Sequence, residues 1–176
     1  MSDVARAFVQ TSRKHLVGEY LPKIRKCLKS LPAEDLWWCP SPASNSVGNL
    51  VLHLCGNARQ WIVSGVGGAP DNRERGEEFA RAGGMSADDL IVHLETALEE
   101  VDGVLEAVQT KAVASPDVLL ESRSIQGLDV SVLEAMYHVV EHFSQHAGQI
   151  YYITKMRTGE DLRFWHVQGG VARPNW

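Results

Sequence analysis

Apolar residues recur without a break at Leu90, Leu94, Ala97, Leu98, Val101, Leu105 and Val108, and this spacing of three and four fits one long amphipathic helix and no β-strand. A helix with a single apolar stripe is stable only when other elements cover it. Three further segments repeat the period and can supply the cover. Residues 4–31 carry Val4, Phe8, Leu16, Tyr20, Ile24, Cys27 and Leu28 at helical spacing, with Pro22 expected to bend the helix. A second helix is expected from a cap at Asn45 or Ser46 to about residue 65, and a fourth from Ser131 to about residue 157, closed by Gly159. Ser86 with Asp89, and Ser131 with Glu134, have the spacing of capping boxes. With no sustained strand alternation, these patterns predict an all-α fold: a four-helix bundle with long connections between helices two and three and between helices three and four. The first connection, residues 65–84, is rich in Gly, Arg and Glu and reads as solvated, with one short helix around residues 77–81. The second, residues 115–129, reads as irregular.

A chain of 176 residues is long enough to close one core, so residues 1–176 are expected to form a single domain. Lys and Arg number 17 against 22 Asp and Glu, a net charge of −5, and no basic stripe is present to neutralise a run of phosphates. Nucleic acid is therefore not an expected partner. No stretch approaches the roughly 20 apolar residues that cross a bilayer, and residues 1–6 lack the apolar core of a signal peptide, so a cytoplasmic protein without a membrane partner is expected. Cys27, Cys39 and Cys55 are odd in number and widely spaced, which suits buried or idle thiols better than disulfides or a thiolate zinc site.

The fourth helix carries the chemistry. At about 100° per residue, Val132, Ala135, Val139, His142, Phe143, His146, Ile150 and Ile153 share one inward stripe. His142 and His146 stand about 6 Å apart along the axis, a spacing at which two imidazoles share one metal ion. A histidine pair at this spacing also occurs as hydrogen-bonded core residues. His138 lies about 12 Å from His146 along the axis, too far for both to close on one ion with His142 between them. The third ligand is expected from a neighbouring helix, and His53, at the core-side border of the stripe formed by Leu50, Leu54 and Trp61, is the best placed. His15, His93 and His166 read as structural or surface residues.

Two runs of this sequence, Asn45 to Asn57 and Glu141 to Ile150, resemble the DinB-like (YfiT-like) superfamily of metal-dependent bundles. The resemblance extends to Trp37 and Trp38, to residues 73–79 and to residues 159–165. It implies a four-helix bundle that often forms dimers, with one histidine from the first run and two from the His-x-x-x-His-x-Gly-Gln motif; here these fall on His53, His142 and His146. Asn57 lies one turn beyond His53, and Gln149 one turn beyond His146. Each could orient a ligand ring or contact a substrate, as could His138 one turn before His142.

Three neutral imidazoles leave a tetrahedral ion one open position, as in catalytic rather than structural zinc. An exchangeable water or thiol there supports hydrolysis or thiol transfer. The resemblance tilts the expectation toward a metal-dependent S-transferase that joins a low-molecular-weight thiol, such as bacillithiol, mycothiol or glutathione, to an electrophile. A hydrolase and a non-catalytic metal-binding protein are the alternatives, and no catalytic side chain is assigned. One divalent ion per chain is expected, zinc first and nickel as the other candidate. A homodimer is expected from a second apolar strip on helix four, Leu133, Val140, Ala147 and Tyr151. Metal affinity is expected to fall between about pH 7 and 5, with up to three protons taken up per ion released.

Overall fold

The computed structural model describes residues 2–176, and most of them are helical. The first helical segment has three parts: α1 (Ser2–His15), a wider π-helical turn over Leu16–Tyr20, and α2 (Leu21–Ser30). Pro22 sits in the first turn of α2 and lacks an N–H, so it cannot close the usual bond to the carbonyl of Gly18. The chain accommodates this in two ways. Leu21 N–H reaches back to the Leu16 carbonyl, which makes the π turn. The free Gly18 carbonyl accepts the Trp176 indole N–H at 2.9 Å.

A second segment runs through α3 (Val47–Ala58) into another π-helical stretch, Arg59–Val66. The short α4 (Arg75–Ala80) interrupts the connection that follows. The two longest helices are α5 (Ala87–Ala114) and α6 (Val132–Thr158). Ser46, Ser86 and Ser131 cap α3, α5 and α6, each as one half of a capping box. Gly159, with φ of +69°, ends α6 in the left-handed conformation that glycine adopts without strain. Ser131→Ala should therefore cost about 1 kcal/mol, read as a lower denaturant midpoint with unchanged slope.

α5 packs against α1, α2 and α3, and α6 packs against the same three helices. The predicted stripe of α5, from Leu90 to Val108, is buried throughout. Phe143 of α6 is fully buried in the same apolar cluster as Ile24, Leu28, Leu54 and Leu98. At its N-terminal end α3 meets Trp37, whose ring lies so close to Gly48 that a Cβ there would come within 2.8 Å of it. The Trp37 indole N–H donates to the Met85 carbonyl at 3.1 Å, tying the start of α3 to the start of α5.

Two regions differ from the sequence expectation. Residues 115–129 are not irregular: a 3-10 turn, Pro116–Leu120, leads into an antiparallel hairpin of β1 (Ser122–Ile125) and β2 (Leu128–Ser131). Its two-residue turn uses Gln126 and Gly127, both at positive φ. Ile125 anchors it, packing so tightly on Gly65 that a Cβ there would meet Ile125 at 2.4 Å. The tail forms a second hairpin, β3 (Trp165–Gln168) with β4 (Val171–Pro174), turning at Gly169 and Gly170. The fold is thus mainly helical with two small hairpins.

The apolar strip from which a dimer is expected is partly covered by the chain itself. Leu133, Val140 and Tyr151 pack against the core, Ala147 is fully buried, and the Phe164 ring meets Tyr151 edge-on at 4.7 Å. What remains exposed of that strip is smaller than the sequence suggests. Among the described residues no helix is long and apolar enough to cross a membrane.

Candidate metal centre

α3 and α6 place their histidines against each other. His53, His142 and His146 each offer one ring nitrogen, and these atoms all lie within 4.8 Å of one another. The ring centroids are 4.4 to 5.1 Å apart and the planes steeply inclined, so edges rather than faces converge. His142 Nε2 is 3.0 Å from His53 Nε2. An ion with bonds of about 2.0–2.1 Å bridges nitrogens roughly 3.3 Å apart, within the range these rings span. The donor set fits a divalent ion.

The outer nitrogens of two of the rings are held. His146 Nδ1 lies 2.8 Å from the Gln149 carbonyl oxygen, Oε1. Only an N–H can meet that acceptor, so the lone pair of His146 is on Nε2. His53 Nδ1 lies 2.8 Å from Glu78 Oε2 and 3.1 Å from Arg73 Nη2. The shorter contact is to a carboxylate, which repels a lone pair, and Arg73 already donates to Glu78 through Nε at 2.7 Å and Nη2 at 2.9 Å. His53 therefore carries its proton on Nδ1 and presents Nε2 to the other two rings.

Electrostatics favours neutral donors. Burial, followed by the neighbouring His146, His53, His138 and Arg73, pushes the His142 imidazole down to about 3. Burial also lowers His146, against the opposing effect of Gln149. Burial would raise Glu78, but hydrogen bonds and charge from Arg73 and His53 outweigh it and hold the carboxyl below its ordinary value.

A family model described as "Protein of unknown function (DUF1572)" matches residues 3–170. The chain belongs to the DUF1572 family. No curated protein and no solved structure matches it.

The three expected second-sphere residues of this DUF1572 chain fall into different places. Gln149 touches a histidine of the cluster, as described. Asn57 does so only through His138: its Nδ2 donates to His138 Nε2 at 3.1 Å. His138 is sandwiched, stacking on Trp61 at 3.9 Å and on His142 at 5.4 Å. Asn57 Oδ1 and Trp61 Nε1 are buried with no partner among the described residues. His93 stands apart, 3.4 Å from Arg59 Nη1.

Glu78 and Arg73 lie within the 73–79 run that shares the resemblance, but the sequence assigns them no role because the connection that carries them reads as solvated. Most of it is exposed, yet the Arg73 and Glu78 side chains are only 6% and 10% accessible. A signal existed in α3. Gly56 has no side chain where a Cβ would come within 2.0 Å of Glu78 Oε1, and Asn49, one turn before His53, donates to the backbone carbonyls of Glu78 and Arg81. A cavity of about 620 Å³ lies beside this pair, lined by Gly56, Arg59, Arg73, Glu78, Arg81 and His93 among others. It does not include the histidine cluster, where His142 and His146 are half-buried.

Proposed function

We propose that this chain is a four-helix bundle of the DinB-like kind that holds one divalent ion on His53, His142 and His146, and that it acts as a metal-dependent S-transferase using a low-molecular-weight thiol. One observation carries the reading. Three half-buried or buried imidazoles converge within 4.8 Å, with tautomers that turn Nε2 of His53 and of His146 inward. The bundle reading is supported by the way α5 and α6 each pack on both α1–α2 and α3. The family match and the resemblance to metal-dependent bundles agree with it.

Zinc is the first candidate and nickel the second, since imidazole suits both. A divalent ion held there supplies Lewis acidity, which lowers the pKa of a thiol or water in its open position. The described residues offer three ligands, which leaves that position for an exchangeable group.

Thiol transfer is favoured over hydrolysis by the resemblance to the DinB-like superfamily. Glu78 lies behind His53 and is engaged by Arg73. Glu141 accepts from Gln145, and its charge acts on His146 and His138. Glu78 is not placed as a separate general base, and a divalent ion would activate a bound water or a bound thiol without one. Two of the chain's own three thiols are poor nucleophiles: burial pushes Cys27 and Cys55 up to about 12, while Cys39 is exposed. On this reading the thiol comes from solution.

Zinc-loaded protein mixed with bacillithiol, mycothiol or glutathione and monochlorobimane should consume the electrophile faster than the metal-free protein with at least one of the thiols. Metal-dependent cleavage of a nitrophenyl ester that added thiol inhibits, with no bimane transfer, would move the assignment to a hydrolase.

A further inference from the structure

The connection between α3 and α5 is docked at three successive levels of α3. Asn49 binds the α4 backbone through Nδ2, at 2.9 Å to the Glu78 carbonyl and 2.7 Å to that of Arg81. One turn on, His53 meets the Glu78 carboxylate. Less than a turn further, Gly56 leaves the space that Glu78 Oε1 and Arg73 Nε occupy. The other end of the Arg73 guanidinium is held by Gln60 Oε1 at 2.8 Å. Phe79 closes the remaining side of His53, its ring centroid 4.7 Å away.

We infer that Glu78 and Arg73 are positioning residues of the metal centre: Glu78 fixes His53 in the tautomer that presents Nε2, Arg73 holds Glu78 in place, and Gly56 provides the room. This rests on the metal reading above. A carboxylate on the outer nitrogen of a ligating histidine sets the ring's orientation and makes its inner nitrogen a stronger donor, and losing such a partner typically costs 10- to 100-fold in metal affinity. A buried ion pair is an expensive way to fasten a loop, since desolvation offsets much of the attraction between its members. Its placement against a histidine gives the pair a purpose that a surface connection does not need. The connection is on this account a working part of the site.

Two substitutions attack the pair from opposite sides. Glu78→Ala deletes the carboxylate. Gly56→Ala keeps every polar group but puts a methyl where Glu78 Oε1 now lies. Calorimetric zinc titration of the full chain should show each variant binding about 10- to 100-fold more weakly than wild type. The double variant should be no weaker than the worse single one, because both remove the same contact. Nitrogen-15 NMR of the metal-free protein should show His53 protonated on Nδ1 in wild type, mixed tautomers in Glu78→Ala, and the Nδ1–H form restored in Glu78→Gln, whose amide oxygen still accepts. Zinc affinities within twofold of wild type, or a His53 tautomer indifferent to residue 78, would overturn the inference. A wild type that takes up no zinc would sink the metal reading instead, and the tautomer measurement would still decide the role of Glu78.

Discussion

Replacing His53, His142 or His146 by Ala should weaken zinc binding by about a hundred- to a thousandfold. Structural zinc in zinc-finger peptides contributes about 10–16 kcal/mol at neutral pH, and a quarter of that, the share of one ligand in four, is roughly 2.5–4 kcal/mol, or about two to three factors of ten. The three histidines should behave alike, because their ring nitrogens meet within one 4.8 Å cluster. His138→Ala should stay within a few-fold of wild type. Its Nε2 is taken by Asn57 and its ring lies against Trp61, so its loss unpairs a buried amide and is felt as stability, about 1–3 kcal/mol. His93→Ala should leave zinc binding unchanged, since His93 lies beside Arg59. Isothermal calorimetry on the five variants is the check. A His138→Ala variant that loses as much affinity as His142→Ala would contradict this division.

Acidification should weaken zinc binding less steeply than three ordinary histidines would. From pH 6.5 to 5 each ligand with an unperturbed pKa near 6.5 contributes up to about 1.5 factors of ten, so three could give a loss of roughly 10⁴ or more. His142 stays neutral across that range, because burial, with His146, His53, His138 and Arg73 beside it, brings it down to about 3. At most two protons should therefore be taken up per ion released, and the loss should not exceed about a thousandfold. The fold itself is sensitive in the same direction. A histidine whose folded pKa is depressed takes up its proton in the unfolded chain first, so the stability it supports is complete above pH 6.5 and is lost as pH falls from 6.5 toward 3. Metal-free protein should thus melt at progressively lower temperature below pH 6.5, and added zinc should offset part of that loss by binding only the folded form. Titrations at pH 7, 6 and 5, run beside melting curves, check both parts. A slope of three protons per ion would show that His142 titrates as an exposed imidazole.

The long helices were legible because each carries its own period and its own punctuation. The stripe from Leu90 to Val108 and the caps at Ser86, Ser131 and Gly159 needed no tertiary information. The hairpins were not legible in the same way. Strands of four residues are too short for alternation to stand out, and the first turn uses Gln126 before Gly127 in place of the Asn or Asp usual in such turns. The second carries a Gly-Gly turn signal, Gly169 and Gly170, which an all-helical reading passes over. Of the histidine cluster, the pair on α6 follows from spacing alone, since i and i+4 share a face. His53 could be matched to it because Leu50, Leu54 and Trp61 fix the inner face of its helix. Glu78 and Arg73 could not be found by period at all. An acidic residue in a polar connection looks solvated until the chain is folded; the resemblance over residues 73–79 marks the run, and Gly56 and Asn49 on the opposing helix mark where it docks. Pro22 was read as a bend, whereas the structure resolves its missing N–H with a π turn and with Trp176 on the Gly18 carbonyl, a contact between residues 158 positions apart in sequence.

Metal content tests the central claim most directly. The full chain, purified without chelator or affinity resin that leaches metal, is analysed by inductively coupled plasma mass spectrometry and then titrated with zinc and nickel. The three-histidine centre predicts about one divalent ion per chain, present on isolation or taken up on titration, and lost with His142→Ala. A stoichiometry near zero on isolation, with no uptake of either metal at neutral pH, would contradict it.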